Sequence, residues 1–126
     1  MEKKTFKPCR ENALDYSIKN IDEHNQKVVI RFSSGTRLDL PFNAFNTIID
    51  YLVQNRDRSI RIGSTLNKST DYDTLESVIQ SLDPEKSSHT KRAVHICDIL
   101  QECGFVDFGQ AMNPETRRLN QAVKWK

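Results

Sequence analysis

The sequence has no long hydrophobic run and contains few glycines, prolines, cysteines and tryptophans. No stretch approaches the roughly 18 consecutive apolar residues that a membrane-spanning helix needs, so we expect no membrane partner. The N-terminal residues Met1 to Lys4 include bases but no apolar segment follows them, which argues against a secretory signal. Only four glycines occur among 126 residues, and no glycine-rich phosphate loop is present.

Three cysteines and three histidines are the residues best suited to metal or nucleophilic chemistry. Cys97 and Cys103 fall in an apolar helical pattern, where a free thiol packs as a small hydrophobic group. His89 and His95 are six residues apart in one predicted helix and therefore do not share a face. We expect no metal, no cofactor and no catalytic residue, and hence a protein that is not an enzyme. The odd cysteine count without metal-ligand spacing favours a reducing, cytoplasmic compartment.

The net charge of +2 hides an uneven distribution of charged residues. The segments 1–10, 54–68 and 113–126 each carry four bases and one acid, a net charge of +3 apiece. Acidic residues are concentrated in the segment 71–85 instead. Basic segments of this kind suit contact with nucleic-acid phosphates, although scattered charge on a solvated surface would give the same composition.

The N-terminal part of the chain alternates apolar and polar residues with a period of two, which indicates half-buried strands. We predict a flexible basic arm over residues 1–10 and an antiparallel β-meander over residues 14–40. A turn near His24 and a tight hairpin at Gly35 separate the strands. The apolar positions of the meander are Leu14, Tyr16, Ile18, Val28, Ile30, Phe32, Leu38 and Leu40.

The rest of the chain shows helical spacing followed by strands, which makes the expected fold class α+β in a single domain of residues 1–126. The first helix begins after a cap at Asn43, and a short strand over residues 60–62 stops at Gly63. The second helix opens with Asp73 and Glu76 in a capping-box arrangement. The third runs from Ser87 to Cys103 and ends at Gly104, and two C-terminal strands flank a polar connection over residues 110–120.

This order of helix, short strand, two further helices and a hairpin, over residues 42–126, resembles the winged helix-turn-helix family of DNA-binding domains. The resemblance implies that helix 87–103 enters the major groove of DNA and that the hairpin, the wing, contacts the backbone. Carried onto this sequence, it implies the nucleic-acid-binding residues Ser88, Thr90, Lys91, Arg92, His95, Arg117 and Arg118. We expect the helix N-terminus to favour a phosphate and the exposed face to become acidic at Asp98 and Glu102.

The expected function is therefore non-enzymatic binding of double-stranded DNA, in a transcription-regulator-like or sequence-recognition role. Phosphate neutralisation supplies the affinity in this interpretation, and the exposed face of the third helix supplies any specificity. The alternative is a protein-interaction module of a larger assembly, such as a restriction or defence complex. The meander is then the contact surface, and an open strand edge there could also pair two copies as a homodimer.

Overall fold

The computed structural model describes the backbone of Thr5–Phe6 and the residues 15–63, 74–80, 92–114 and 117–126. The chain divides into two compact units, Met1–Phe45 and Asn46–Lys126. Helix α1, Phe42–Gln54, includes the boundary between the two units. Within the described part of the chain, no helix combines the length and the apolar character needed to cross a membrane.

The N-terminal unit contains a four-stranded antiparallel sheet whose strands follow one another in chain order. Its strands are β1 Thr5–Phe6, β2 Tyr16–Asp22, β3 Lys27–Phe32 and β4 Arg37–Pro41. The predicted antiparallel meander is confirmed by β2, β3 and β4. The segment expected to be a flexible arm contributes the short strand β1, which pairs with β2.

The apolar face of the meander forms its core, as the alternation of the sequence predicts. Tyr16, Ile30 and Leu40 are fully buried, and the ring of Tyr16 meets Phe32 edge to face with centroids 5.8 Å apart. The two turns have local causes. Asp22 accepts hydrogen bonds from the backbone and side-chain nitrogens of Asn25, and Gly35 adopts a φ of +95°, which favours glycine.

The C-terminal unit combines the remaining helices with a three-stranded sheet. After α1 come β5 Ile60–Arg61, α2 Leu75–Gln80, α3 Ala93–Glu102, β6 Val106–Met112 and β7 Leu119–Trp125. The sheet order is β5-β7-β6, with β7 antiparallel to both neighbours. The α+β class, the three helices and the C-terminal hairpin are confirmed.

All three predicted helix starts were wrong. Helix α1 begins at Phe42, so Asn43 lies inside its first turn instead of capping it. Helix α2 begins after Thr74, whose hydroxyl accepts a hydrogen bond from the backbone N–H of Ser77 at 3.2 Å. The Thr74 N–H is in turn 3.4 Å from the Ser77 hydroxyl, which completes the reciprocal capping box one residue later than expected. Asp73 lies outside the described residues.

Helix α3 begins at Ala93 instead of Ser87, with Arg92 at the capping position. The predicted inner stripe is confirmed at Ala93, Ile96, Cys97 and Leu100, all of which are buried, whereas Cys103 is exposed. The predicted helix stop at Gly104 is confirmed. Its φ is +85°, and the N–H groups of Gly104 and Phe105 donate to the carbonyls of Gln101 and Leu100, the hydrogen-bond pattern of a Schellman motif.

The C-terminal hairpin is longer than the sequence pattern suggested. Residues 110–112 and 119–120 were expected to belong to a polar connection, but they extend β6 and β7 and are paired. Only the segment 113–118 remains as the loop, and residues 115–116 lie outside the described part of the chain. Polar residues on an open face of a sheet have the same composition as a loop, because neither is packed against a core.

Gly63 is the glycine whose replacement should be most costly. It has a φ of +85°, and a Cβ added there would lie 2.5 Å from both Cβ and Oγ1 of Thr74, the cap of α2. We expect Gly63→Ala to lower the free energy of unfolding by about 2–3 kcal/mol, measured by urea denaturation. Gly104→Ala is the matched control, because it has the same φ and no atom within 4 Å of the new Cβ. A loss as large in the control would show that backbone strain alone is responsible.

Asp39 should contribute an acid-sensitive part of the stability of the meander. Lys27 Nζ donates to Asp39 Oδ2 at 2.9 Å, Arg37 Nε lies 3.3 Å from Oδ1, and these contacts hold the pKa of Asp39 below its usual value. A lowered pKa stabilises the fold at neutral pH, and the contribution disappears as the pH falls through the folded-state value. We expect Asp39→Asn to lose less stability than the native protein between pH 6 and pH 2.

The effect of Asp39 should stay below about 1 kcal/mol, because both partners are partly exposed and screened by solvent. Lys27→Gln is the companion variant, since it removes the main cause of the lowered pKa while leaving the carboxylate. Urea denaturation at a series of pH values provides the measurement. A pH dependence of stability that is identical in all three proteins would contradict this assignment.

Candidate nucleic-acid interface

Two of the residues expected on the outer face of the third helix, Arg92 and His95, are described, and both are partly buried. Ser88, Thr90 and Lys91 lie outside the described residues. The side chain of His95 is only 16% exposed, and its Nδ1 lies 4.0 Å from Oδ2 of Asp98. Asp98, which was expected on the exposed face, is buried. The physical reason is that α3 is covered on more than one side, since Val94 and Ile99 are buried beside the predicted stripe.

Arg92, the central residue of the predicted groove contact, is half-buried at the start of α3. Its side chain makes no capping hydrogen bond, and its Nε is buried without a hydrogen-bond partner among the described residues. The Arg92 side chain is therefore not fully exposed on the surface of α3, where it would have to be to contact the edges of DNA bases. Among the candidate residues on this helix, none that the structure describes is fully exposed.

The N-terminus of α3 already holds an anionic group from the protein itself. The carboxylate oxygen Oε1 of Glu76, a buried residue of α2, accepts hydrogen bonds from the backbone N–H groups of Arg92 at 2.8 Å and Ala93 at 3.3 Å. Free N–H groups and the helix dipole are what make a helix N-terminus attract phosphate. Glu76 occupies the N–H groups of Arg92 and Ala93, so these two donors are not open to a phosphate.

The position of Glu76 follows from hydrogen bonds at the start of α2. Its own backbone N–H donates to the carbonyl of Ile62 at 2.8 Å, and Ile62 N–H donates to Gln121 of β7 at 3.0 Å. The Thr74–Ser77 capping box fixes the first turn of α2 around it. The sheet therefore holds the first turn of α2, and α2 places its carboxylate at the start of α3.

The two remaining candidate residues, Arg117 and Arg118, lie together near the tip of the β6–β7 hairpin. Both are exposed, and Arg117 adopts a φ of +57°. The Asn113 N–H donates to the Arg118 carbonyl and the Arg117 N–H donates to the Asn113 carbonyl, both at 2.8 Å. These bonds close the loop, so the backbone that carries the two arginines is fixed at its base.

Further basic side chains, those of Lys124 and Lys126, lie along the same face of the hairpin as Arg118. We call this face the basic face. Lys124 lies in β7, Arg118 and Lys126 flank the strand at alternate positions from it, and all three are exposed. Continued alternation places the three on one side of the hairpin. The opposing acid is Asp107, which pairs in register with Lys124 and whose Oδ1 lies 3.5 Å from Lys126 Nζ. Among the described residues, these three exposed cations share the basic face with one exposed carboxylate, that of Asp107.

The floor of the basic face is formed by small residues of β6. Gly109 is opposite Ala122 and Ala111 is opposite Asn120, and a Cβ added at Gly109 would meet open space. Arg61 of β5 is opposite Ala122 and therefore belongs to this face by register, but it is buried and not displayed. The middle of this face is therefore covered at Arg61 and Ala122, and the strip that stays exposed runs along Gly109 and the cations of the β7 side.

Lys124 and Lys126 were not among the predicted site residues, although the sequence contains a signal for them. Both fall at alternate positions from Arg118 in the basic segment 113–126. Arg118 was expected near the tip or the return strand of the wing, and the two-residue period was not followed from it along β7. The structure shows a continuous strand from Leu119 to Trp125, with Arg118 directly before it and Lys126 directly after it.

The opposite face of the hairpin ends in two exposed apolar side chains. Met112 and Leu119 are directly opposite each other at the ends of β6 and β7, and each is 60% exposed. We call this pair the apolar tip. The hairpin therefore offers cations along one face, two arginines near the loop and an apolar pair beside them, which suits non-covalent binding.

The described residues provide no obvious site for metal chemistry, since no three His, Cys, Asp or Glu side chains among them are grouped as ligands. The comparisons with known proteins add no family to this description. No protein-family model, curated protein or solved structure matches the chain.

Glu76 should be a major contributor to the stability of the C-terminal unit. We expect Glu76→Ala to lower the free energy of unfolding by about 2–4 kcal/mol, because two helix N–H groups lose a charged acceptor in a buried place. Glu76→Gln should cost less, since the amide oxygen can still accept. The measurement is urea denaturation, and Glu23→Ala in an exposed turn is the control, expected to change stability by less than about 0.5 kcal/mol. A Glu76→Ala variant as stable as the control would contradict the capping role.

Proposed function

We propose that the protein binds double-stranded DNA without catalysing a reaction, and that the β6–β7 hairpin makes the main backbone contacts. The observation that supports this most directly is the exposed row of Arg118, Lys124 and Lys126 on the basic face. Arg117 adds a fourth exposed cation beside that row. Phosphate contacts through Lys and Arg supply most of the affinity in sequence-independent DNA binding.

The spacing of these cations fits an extended polyanion better than a single small anion. Residues 118 and 126 are separated by eight strand steps, or roughly 27 Å at about 3.4 Å per residue. A small anion could touch only one or two cations of such a row, whereas a duplex carries phosphates along its whole length. The small residues at Gly109 and Ala111 leave room for a backbone to approach the strip.

The winged-helix resemblance enters this proposal through the order of elements in the C-terminal region. Helix α1, strand β5, helices α2 and α3, and the hairpin β6–β7 follow one another as the resemblance requires. In this proposal the hairpin is the wing, and α3 supports it through the Schellman motif that leads into β6. The role is that of a sequence-recognition or regulator-like protein whose contacts come from the wing instead of the start of α3.

A protein-interaction module is the second candidate, and the apolar tip is the observation that favours it. Exposed apolar side chains beside polar ones are common at protein interfaces. Phe105, which is stacked on Trp125 with ring centroids 5.6 Å apart, is also about half exposed. The two candidates differ in their response to salt, because phosphate contacts weaken steeply as salt rises and apolar contacts do not.

The proposal predicts salt-dependent binding to random-sequence duplex DNA by the full chain, measured by fluorescence anisotropy. With four cations on phosphates, the slope of log affinity against log salt should be about −3 to −4. Replacing Arg118 and Lys124 by Gln should weaken binding at every salt concentration and make the slope shallower by about 2. Both side chains are exposed, so we expect the variant to remain folded.

The matched control is Arg56→Gln/Arg58→Gln, which removes the same charge from the exposed turn between α1 and β5. We expect this control to keep the native slope. An equal loss in both variants would mean that net charge, and not the hairpin, governs binding. Absence of duplex binding at low salt would eliminate the proposed function and leave the protein-interaction candidate.

A further inference from the structure

The apolar tip is separated from the hydrophobic core of its own unit. Along its face of the hairpin, the cross-strand pairs from the base outward are Val106–Trp125, Phe108–Val123, Gln110–Gln121 and Met112–Leu119. Val106 and Val123 are fully buried, whereas both glutamines of the third pair are exposed. The exposed pair Gln110 and Gln121 therefore separates Met112 and Leu119 from the buried residues, and the apolar tip is not an extension of the hydrophobic core.

The position of the apolar tip next to Arg117 and Arg118 distinguishes it from an ordinary exposed apolar residue. Ile21 is the exposed apolar residue of the meander and belongs to a strand that ends in Asp22. Leu119, in contrast, directly follows the two exposed arginines, and Met112 is its cross-strand partner. Leu119 and Arg118 are adjacent in the chain but alternate between faces, so the hairpin end carries the apolar pair on one face, Arg118 on the other and Arg117 in the loop between the strands.

We propose that the apolar tip enters the minor groove of duplex DNA and wedges against a base step, so that the duplex bends. Proteins that bend DNA in this way insert Met, Leu or similar side chains between bases while Arg side chains hold the backbone or groove. This inference rests on the proposed function and adds the mode of contact at the same hairpin. The charge complementarity of Arg117 and Arg118 with phosphates favours the duplex as occupant over an apolar protein surface.

Insertion of the apolar tip is non-covalent and replaces contacts with water by contacts with DNA bases. Met112 and Leu119 lose their contact with water when they press against the faces of bases, which are apolar. Partial unstacking of the step opposes insertion, and the phosphates that come within reach of Arg117 and Arg118 offset it. The expected bend lies between roughly 20° and 90°, toward the major groove.

The test uses the full chain and a short random-sequence duplex with a fluorescence donor and acceptor at its ends, together with 2-aminopurine as an unstacking probe. We expect the native protein to shorten the end-to-end distance and to raise the 2-aminopurine emission. Met112→Gln/Leu119→Gln repeats the polar pair that the hairpin already carries at Gln110 and Gln121, so the strands should form as before. This variant should lose both signals and bind roughly tenfold more weakly, with an unchanged salt slope.

Ile21→Gln is the matched control, because it removes an exposed apolar side chain of the other unit. It should leave binding, bending and unstacking as in the native protein. A second double variant, Met112→Ser/Leu119→Ser, checks the result independently of side-chain length. Circular dichroism spectra and urea midpoints establish that each variant is folded.

The outcomes separate the wedge from the proposed function. Native duplex binding without bending or unstacking, and with no loss in the tip variants, would overturn the wedge and leave DNA binding intact. Absence of native duplex binding would overturn both. If the native protein then self-associates and the tip variants do not, the tip is an interface between protein chains. Bending and unstacking that depend on Met112 and Leu119 would support the wedge.

Discussion

The contact between the Glu76 carboxylate and the first N–H groups of α3 connects most of the C-terminal unit. Glu76 belongs to α2, its backbone N–H is bonded to Ile62 at the end of β5, and Ile62 is bonded to β7. At its other end α3 leads through the Schellman motif at Gly104 into β6, which pairs with β7. Through its carboxylate and its backbone N–H, Glu76 thus links the start of α3 to the segment after β5, which is bonded to β7.

This arrangement also decides where an anion from outside can bind. A helix N-terminus can satisfy an external phosphate only while its N–H groups are unoccupied. At α3 the N–H groups of Arg92 and Ala93 are taken by Glu76, and the nearby side chains of His95 and Asp98 are largely buried. The hairpin has the complementary properties, because its loop and one of its faces are exposed and carry Arg117, Arg118, Lys124 and Lys126.

The two faces of the hairpin suit different kinds of contact. The basic face has charges spaced along a strand, which suits contacts with successive phosphates. The other face carries an apolar pair that the exposed residues Gln110 and Gln121 separate from the core. The DNA contact that we propose uses both faces, with phosphates at the cations and the apolar faces of unstacked bases at Met112 and Leu119.

Local patterns in the sequence determined much of the fold. The period-two alternation from Tyr16 to Leu40 predicted the meander, and the apolar spacing from Ala93 to Leu100 predicted the buried stripe of α3. Glycine at positions 35 and 104 predicted a turn and a helix stop, because both positions need a positive φ. The sequence also predicted that Arg117 and Arg118 are surface residues, since a basic segment without apolar spacing stays at the surface.

The tertiary structure alone decided the use of Glu76 and the extent of the hairpin. In the sequence Glu76 has the spacing of a local cap, yet its carboxylate bonds to N–H groups 16 and 17 residues further along the chain. No local pattern encodes such a pairing, because it depends on how α2 and α3 pack. Likewise Gln110 and Gln121 have the composition of a loop, and only the cross-strand hydrogen bonds of β6 and β7 make them parts of a sheet. Local backbone preferences are short-ranged and could be read from neighbouring residues, whereas burial and long-range hydrogen bonding depend on the whole folded unit.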